Sequence, residues 1–304
     1  MQYVKELMSF QMEGESAVTL GKFDSLHLGH QKLIHKVQEY AVGPITSIVF
    51  AFDMQRESLL TKEEKRILLE DETDVLISCP FTTEIREMSA EDFIEHILIE
   101  RLHAKYIVVG TDFRFGYQQK GDVHMLAEFA EKYGYHLDII EKERYEDQII
   151  SSTFIRESLQ EGKVSLVNKL LGYTYQMNGV VEHGNRIGRK LGFPTMNVYP
   201  KDNKMMPKHG VYTCRVEVDG IWYNGIGNVG VKPTVEEKPV VLAEVYVFDF
   251  EGDAYGKEIK IQFCEFERPE QKFDGLEELK AQLQKDILFG REYFSMKMND
   301  ENEE

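Results

Sequence analysis

Short apolar runs alternate with helical patterns over the first half of the chain. The apolar runs predict buried strands at residues 17–20, 46–52, 74–78, 106–110 and 136–140. The segments between them predict helices at residues 30–41, 62–70, 89–101 and 123–133. Because strands alternate with helices, we expect a mostly parallel sheet covered by helices.

The pattern changes after a last helix of this kind, over residues 164–171, which ends at Gly172. Alternating strand patterns follow at residues 211–218, 221–224, 244–250 and 259–266, and a helix is predicted over 276–287. Asp219-Gly220 between the first two strands predicts a type I′ hairpin turn. We therefore predict an α/β domain at 1–173, an antiparallel β barrel with a closing helix at 174–292, and an acidic tail at 293–304.

Composition narrows the classes of function. The 304 residues contain 53 Asp+Glu against 36 Lys+Arg, a formal net charge of −17, which disfavours binding to nucleic acid or to an anionic membrane surface. The N-terminal residues lack the apolar run of a signal peptide, and the longest uncharged stretch is too short to span a membrane. Three scattered cysteines indicate a reduced, cytoplasmic protein without a disulfide framework.

The first candidate site is the segment GKFDSLHLGH at residues 21–30, between a predicted strand and the helix after it. Ligands bind at such turns in open α/β sheets, and a helix N-terminus attracts phosphate. His27 and His30 are three residues apart, so both imidazoles can face one side of the first helical turn and donate hydrogen bonds to phosphate oxygens. A solvated helix start is the ordinary alternative. Zinc is disfavoured because no cysteine or third histidine lies nearby.

Two other segments belong to the same predicted sheet edge. GTDFRFG at residues 110–116 follows another buried strand, and SSTFIR at 151–156 offers hydroxyl groups and Arg156 at a helix start. Each segment alone has an ordinary structural explanation. Their convergence at the carboxyl edge of one sheet favours a phosphate-binding site.

The second half contains neither a P-loop nor the protein-kinase motifs. GIGNVG at residues 225–230 has the sequence of a dinucleotide-binding fingerprint, but it follows a hairpin strand and does not open a helix. We expect its glycines to allow tight β packing or a turn. The glycine-rich basic segment at 183–197, with Gly184, Gly188 and Arg189, suits a polyphosphate. Thr195 and Asn197 share one strand face, and their oxygens suit Mg²⁺.

The motifs of the first half, GKFDSLHLGHQKL, GTDFRFG with KGD, and SSTFIRESLQEGKV, resemble the bacterial bifunctional riboflavin kinase/FMN adenylyltransferase (FAD synthetase) family in order and spacing. The resemblance implies a Rossmann-like nucleotidyltransferase domain that transfers AMP from ATP to FMN. It implies that His27 and His30 stabilise the reacting phosphates. It also implies an ATP, phosphate or flavin contact for Gly21, Phe23, Asp24, Asp112, Phe115, Ser152, Thr153 and Arg156.

The second half resembles the riboflavin kinase domain of the same family through GRKLGFPTMN, MPKHGVYTCRV, NGIGNVGVKPTV, AEVYVFDFEGDAYGK and ERPEQKF. The resemblance implies a six-stranded antiparallel barrel in which Thr195 and Asn197 hold Mg²⁺ and ATP phosphates. It makes Glu244 the general base for the ribityl hydroxyl, and its apolar neighbours predict a half-buried strand. Arg268 is a candidate flavin or nucleotide contact, and a surface arginine is the alternative.

The chain departs from the family pattern at a few positions. Ser25-Leu26 stands where Gly-Val is common, and residues 52–56 stand where the family usually has Pro-His-Pro. Ala254 and Val229 replace a common Leu and Ile. The expected activity is phosphorylation of riboflavin to FMN, followed by adenylylation of FMN to FAD, both with ATP and Mg²⁺. The expected partners are small-molecule substrates only, and the sequence gives no expectation for the oligomeric state. The alternatives are a riboflavin kinase with a weakened or inactive adenylyltransferase domain, an adenylyltransferase for another nucleotide, and a non-catalytic flavin carrier.

Overall fold

The computed structural model describes residues 1–54, 57–184, 188, 191–201, 203–232 and 240–303. Contacts within the chain divide it into two compact units, Met1–Ser152 and Thr153–Glu304. The α/β unit followed by an antiparallel barrel with a closing helix confirms the fold class predicted from the sequence.

The first unit contains a six-stranded parallel sheet within its described residues, in the order β1-β4-β3-β2-β5-β8. Its strands are β1 (Gln2–Val4), β2 (Ser16–Gly21), β3 (Thr46–Asp53), β4 (Val75–Pro80), β5 (Ala104–Gly110) and β8 (His136–Ile140). Short two-residue strands form two small hairpins, β6 (Arg114–Phe115) with β7 (Gly121–Asp122), and β9 (Arg144–Tyr145) with β10 (Gln148–Ile149). Sequence periodicity missed β1, because three residues on a sheet edge are too few for a period.

Helices α1 (Leu28–Tyr40), α2 (Lys62–Leu68), α3 (Thr83–Glu87), α4 (Ala90–Asp92) and α5 (Val123–Tyr133) connect these strands. The helix of α4 continues in π-helical geometry over Phe93–Ile99. Ser89 caps this helix, since its Oγ accepts a hydrogen bond from Asp92 N at 3.0 Å. Apolar side chains of the strands and helices form one buried core, and this core fixes the carboxyl ends of the strands at one edge.

The second unit begins at Thr153, within α6 (Ser152–Glu161), and continues with α7 (Val164–Leu171). Lys208 N donates to the Leu159 carbonyl at 3.1 Å, and Asn168 Nδ2 donates to the Phe263 carbonyl at 2.9 Å. Both helices therefore pack with the barrel, whereas the boundary predicted from sequence, after residue 173, places them with the first unit. Helical patterning alone does not show which unit a helix packs on.

The barrel closes in the order β11-β12-β15-β14-β13-β16. Its strands are β11 (Gln176–Glu182), β12 (Met196–Val198), β13 (Gly210–Val218), β14 (Ile221–Lys232), β15 (Val240–Val247) and β16 (Glu258–Arg268). The hairpin turn is confirmed by φ of 51° at Asp219 and 80° at Gly220. GIGNVG lies within β14, where a Cβ on Gly225 would lie 2.6 Å from the Tyr246 carbonyl oxygen, so its glycines do permit close strand packing.

The chain ends in α8 (Leu276–Glu303), which is longer than the predicted helix. Helical backbone continues to residue 303, through most of the segment predicted as an acidic tail at 293–304. Phe294 packs with Val211, Ile226 and Phe248 on the outer barrel surface, which extends the helix past its predicted end. All three cysteines are buried and free.

Candidate active sites

The turn after β2 carries the two motif histidines. His27 caps α1, and its Nδ1 accepts a hydrogen bond from His30 N at 3.2 Å. Phe23 and Leu26 are buried with φ of 43° and 46°, a left-handed conformation that is strained for large side chains. The turn is therefore tightly determined by its surroundings.

The two imidazoles are stacked, with centroids 3.7 Å apart and planes inclined by 12°. Burial lowers the pKa of His27 to about 4. Burial also holds the pKa of His30 well below its usual range, and electrostatic repulsion from the neighbouring His27 and Lys65 lowers it further. Both rings are therefore neutral at pH 7. Since Nδ1 of His27 accepts a hydrogen bond, its proton is on Nε2, which makes Nε2 a hydrogen-bond donor.

A cavity of about 540 Å³ opens at this edge of the sheet, within the first unit. Seven of the predicted residues line it: Gly21, Phe23, His27, His30, Asp112, Phe115 and Ser152. Ser25 Oγ lies 3.2 Å from Ser152 Oγ, so the histidine turn and the SSTFIR segment meet. The predicted convergence of three loops is confirmed for these residues.

Three further residues predicted for the first site are not among those that line the cavity. Asp24 is not among the lining residues, and its carbonyl accepts a hydrogen bond from Leu60 N at 3.1 Å. Thr153 and Arg156 belong to the second unit, where Arg156 Nη1 donates to Met205 Sδ at 3.4 Å. Their roles toward ATP stay predictions.

Sequence reasoning missed the apolar wall of the cavity, which consists of Phe52, Met54, Phe81, Ile85, Phe93 and Phe113. Phe113 stacks on Phe115 with centroids 5.5 Å apart and an interplanar angle of 14°. The available signal was position, because Phe52 and Phe81 lie at or just beyond strand ends that meet at the same edge. Such a wall provides the flat apolar surface that an aromatic ring system requires.

Charged groups also line the cavity. Lys142 Nζ forms an ion pair with Asp112 Oδ2 at 2.6 Å, and Lys22 and Arg114 lie on the same lining. Glu141 and Glu143 line the cavity as well, so its charged side carries both signs, and the N-terminus of α1 is the part that favours an anionic ligand. The cavity thus combines an apolar wall with a side suited to phosphate.

The second site is a row of polar residues across neighbouring barrel strands. Asn197 on β12 pairs with Glu244 on β15, and Glu244 pairs with Asn228 on β14. Paired residues of adjacent strands point to the same face, so the amide and carboxylate groups share one face of the barrel. Asn197 is only 5 % exposed, and Glu244 is half-buried as predicted.

The glycine-rich segment approaches this row closely. A Cβ on Gly184 would lie 2.7 Å from both Cγ and Oδ1 of Asn197. A Cβ on Gly188 would collide with the Phe193 carbonyl oxygen and would lie 3.5 Å from Thr195 Oγ1. The backbone at both glycines therefore lies close to the two predicted metal-binding side chains.

Comparison with known proteins matches each of the two units to a protein family. An FAD synthetase family model matches residues 9–154, and a riboflavin kinase family model matches residues 171–294. The bifunctional riboflavin kinase/FMN adenylyltransferase of Buchnera aphidicola subsp. Acyrthosiphon pisum is 37 % identical over 306 residues, which covers 95 % of this chain and 96 % of that protein. The chain belongs to this bifunctional family.

Other members of the family are similar over nearly the same length. The Bacillus subtilis (strain 168) protein of the same name is 36 % identical, over 93 % of this chain and 94 % of that protein. The Escherichia coli (strain K12) protein is 34 % identical, over 92 % and 93 %. A crystal structure described as a macrolide-efflux protein from Streptococcus pneumoniae has a TM-score of 0.86 and 29 % identity, and covers 95 % of this chain and 98 % of that one.

In the described part of this chain, no helix has both the length and the apolar character to cross a membrane.

Arg189 and Arg268 are the two remaining residues predicted for the kinase half of this bifunctional chain. Arg189 lies outside the described residues. Arg268 forms a double contact with the buried Asp286 of α8, with Nε to Oδ1 at 3.0 Å and Nη2 to Oδ2 at 2.6 Å. Gln282 Nε2 also donates to Asp286 Oδ1 at 2.7 Å, so Arg268 helps to fix α8 on the barrel. A contact of Arg268 with nucleotide or flavin stays a prediction.

The departures from the family motifs have structural consequences. Ser25 provides the hydroxyl that meets Ser152, and Leu26 takes a left-handed φ without being glycine. Where Pro-His-Pro is usual, Phe52 and Met54 line the cavity, and Asp53 accepts a hydrogen bond from Ser78 Oγ. Gln55 and Arg56 of this segment lie outside the described residues.

Proposed function

We propose that the chain catalyses two consecutive reactions, in which riboflavin and ATP give FMN and ADP in the barrel, and FMN and a second ATP give FAD and pyrophosphate in the first unit. The observation that supports this most strongly is the presence of two chemically distinct sites in a chain similar to bifunctional relatives over almost its whole length. A cytoplasmic location belongs to the proposal, and three free thiols support it.

In the kinase reaction, Glu244 accepts the proton of the ribityl 5′-hydroxyl group. The hydroxyl oxygen forms a bond to the γ-phosphorus of ATP, and the bond from that phosphorus to the β,γ-bridging oxygen breaks. The alignment of Asn197 beside Glu244 in the barrel supports this role, since the amide is then positioned next to the base.

A divalent metal ion fits the residues beside Glu244. Thr195 and Asn197 offer hard oxygen donors of the kind that Mg²⁺ prefers, and the backbone at Gly184 and Gly188 packs closely against these two side chains. Among the described residues no cluster of three His, Cys, Asp or Glu side chains is suited to a metal, so ATP phosphates would complete the ligands held by Thr195 and Asn197. When bound, Mg²⁺ neutralises charge on the transferred phosphoryl group.

In the adenylyl transfer, an FMN phosphate oxygen attacks the α-phosphorus of ATP and pyrophosphate leaves. The attacking phosphate is already anionic at neutral pH, so no general base is required. His27 Nε2–H donates to the phosphate oxygens as charge develops, and one such donor is typically worth about 10²–10³ in rate. The aromatic wall contacts the isoalloxazine ring, while Ser152 and the α1 N-terminus bind phosphate.

A pair of variants tests the division of labour between the units. His27→Ala should reduce FAD formation from supplied FMN by about 10²-fold or more, while riboflavin is still converted to FMN. Glu244→Gln or Asn197→Asp should stop FMN production and leave FAD formation from FMN intact. Flavins are separated by chromatography over time after addition of ATP and Mg²⁺. Equal loss of both activities in a folded His27→Ala protein would contradict the assignment.

One observation supports a second candidate function, a riboflavin kinase with a weakened adenylyltransferase. The segment at Phe52 to Met54 lacks the Pro-His-Pro that the family motif usually has there. Pyrophosphate release from FMN and ATP distinguishes the two candidates. The bifunctional enzyme releases it at a rate comparable to riboflavin phosphorylation, whereas the weakened enzyme releases little or none.

A further inference from the structure

A buried lysine lies behind the histidine turn and has no part in the chemistry above. Lys65, on α2, has a side chain that is 10 % exposed. Its Nζ lies 3.5 Å from the Lys22 carbonyl oxygen and 3.9 Å from Asp53 Oδ1. Its neighbour Lys62 contacts the same carboxylate, with 3.0 Å from Nζ to Oδ2, but is 66 % exposed. The two lysines therefore share a partner and differ in burial.

The turn that Lys65 contacts is the strained one. Phe23 has a left-handed φ, and such a conformation persists only where neighbouring groups determine it. The carbonyls on both sides of Phe23 are held from the same segment, since Lys65 Nζ contacts the Lys22 oxygen and Leu60 N donates to the Asp24 oxygen at 3.1 Å. The start of α2 thus holds the turn at two points.

The helix that carries Lys65 is itself rigidly placed. Thr61 and Glu64 form a reciprocal capping box, with Thr61 N to Glu64 Oε2 at 2.9 Å and Glu64 N to Thr61 Oγ1 at 3.2 Å. A buried ammonium group is costly unless it is paired. Burial lowers the pKa of Lys65, and the nearby Asp53 and Asp24 carboxylates raise it in compensation. Such a costly group is consistent with a role in the site.

We propose that Lys65 is a positioning residue for adenylyl transfer, whose ammonium group holds the Lys22 carbonyl and Asp53 and thereby keeps the Phe23 turn and the two histidines in their active geometry. This inference rests on the proposed function of the first unit. The positive charge of Lys65 also opposes protonation of His30, so the residue keeps that imidazole neutral as well as in place.

The test compares Lys65→Met with the matched control Lys62→Met in the full chain. Lys65→Met should slow FAD formation from FMN and ATP by about 10²-fold, because a displacement of about 1 Å in a reacting group has that effect. Riboflavin phosphorylation by the same preparation should stay within about twofold, and Lys62→Met should change neither rate by more than that, since exposed ion pairs contribute little.

Two further measurements separate positioning from a loss of folding. Without Lys65 the pKa of His30 should rise, so its imidazole signals in an NMR titration should move to higher pH, which Lys62→Met should not cause. The double variant Lys65→Met/Asp53→Asn also removes the carboxylate, which in Lys65→Met would still face the exposed Lys62, and it should fold while FAD formation stays slow.

A folded Lys65→Met or double variant with wild-type FAD formation and an unchanged His30 titration would overturn the inference. This result is distinct from failure of the proposed function, in which the wild-type enzyme itself forms no FAD from FMN and ATP.

Discussion

Replacing Gly184 with alanine should disable the kinase through a single added methyl group. The new Cβ would lie 2.7 Å from Cγ and Oδ1 of Asn197, and real Cβ atoms essentially never approach other heavy atoms this closely. Asn197 Nδ2 would lie closer still, and ordinary contact begins near 3.4 Å, so the loop and the amide must separate by about 1 Å. Asn197 cannot yield easily, because it is buried and its strand is paired on both sides.

The expected cost falls on catalysis more than on stability. A shift approaching 1 Å in a group that orients phosphate or metal lowers the rate by about 10²-fold, or about 2.7 kcal/mol in activation free energy. Alanine also reduces the entropy of the unfolded chain, which offsets part of any strain by about 0.4–1 kcal/mol. We therefore expect a folded protein with a kinase rate about 10²-fold below that of the wild type.

The assay measures FMN formation from riboflavin and FAD formation from supplied FMN in one preparation. Gly275→Ala is the matched control, since a Cβ at Gly275 meets no atom within 4 Å. The control should retain both activities, and Gly184→Ala should retain only FAD formation. If Gly184→Ala phosphorylated riboflavin at the rate of the control, the close approach to Asn197 would have no catalytic importance and the reasoning would be wrong.

Two pH-dependent predictions follow from buried groups. Burial lowers the pKa of His27 to about 4, so the NMR signals of its ring should titrate near pH 4. The neutral ring should contribute up to about 3 kcal/mol to the free energy of unfolding above pH 6.5, and this contribution should be lost as the pH falls toward 4. Titration at 6.5 would show that the ring is solvated. Burial, and then the Asp286 charge, raise the pKa of Glu267 to about 7. The contribution of this carboxyl group to the free energy of unfolding is therefore complete below its unfolded pKa of 4.5 and is lost as the pH rises through 7. Glu267→Gln should therefore increase stability at pH 8, by about 1 kcal/mol after allowance for solvent screening, and calorimetry that found no increase in Tm would contradict this.

Local sequence patterns were sufficient for most of the secondary structure and for part of the first site. Strand and helix periods are properties of a few consecutive residues, and five of the six sheet strands follow from them. The segments that carry His27, Asp112 and Ser152 each follow a strand or open a helix, and the parallel sheet brings such segments to one edge. Family motifs then pointed to both activities.

Features that depend on distant contacts required the tertiary structure. The aromatic wall takes Phe52, Phe81, Phe93 and Phe113 from different elements, and each looks like an ordinary core residue in its own segment. Burial of Lys65 and the low pKa of His27 depend on which groups surround them. Packing of α6 and α7 with the barrel likewise depends on contacts far along the chain.

Short-range periodicity and motif order thus determined which secondary-structure elements the chain forms and which segments lie at the edge of its sheet. Which groups lose their contact with water, which backbone segments come within van der Waals distance, and which charges meet were decided only by folding. Solvation and steric contact depend on all neighbours in space, and most of those neighbours are distant in sequence.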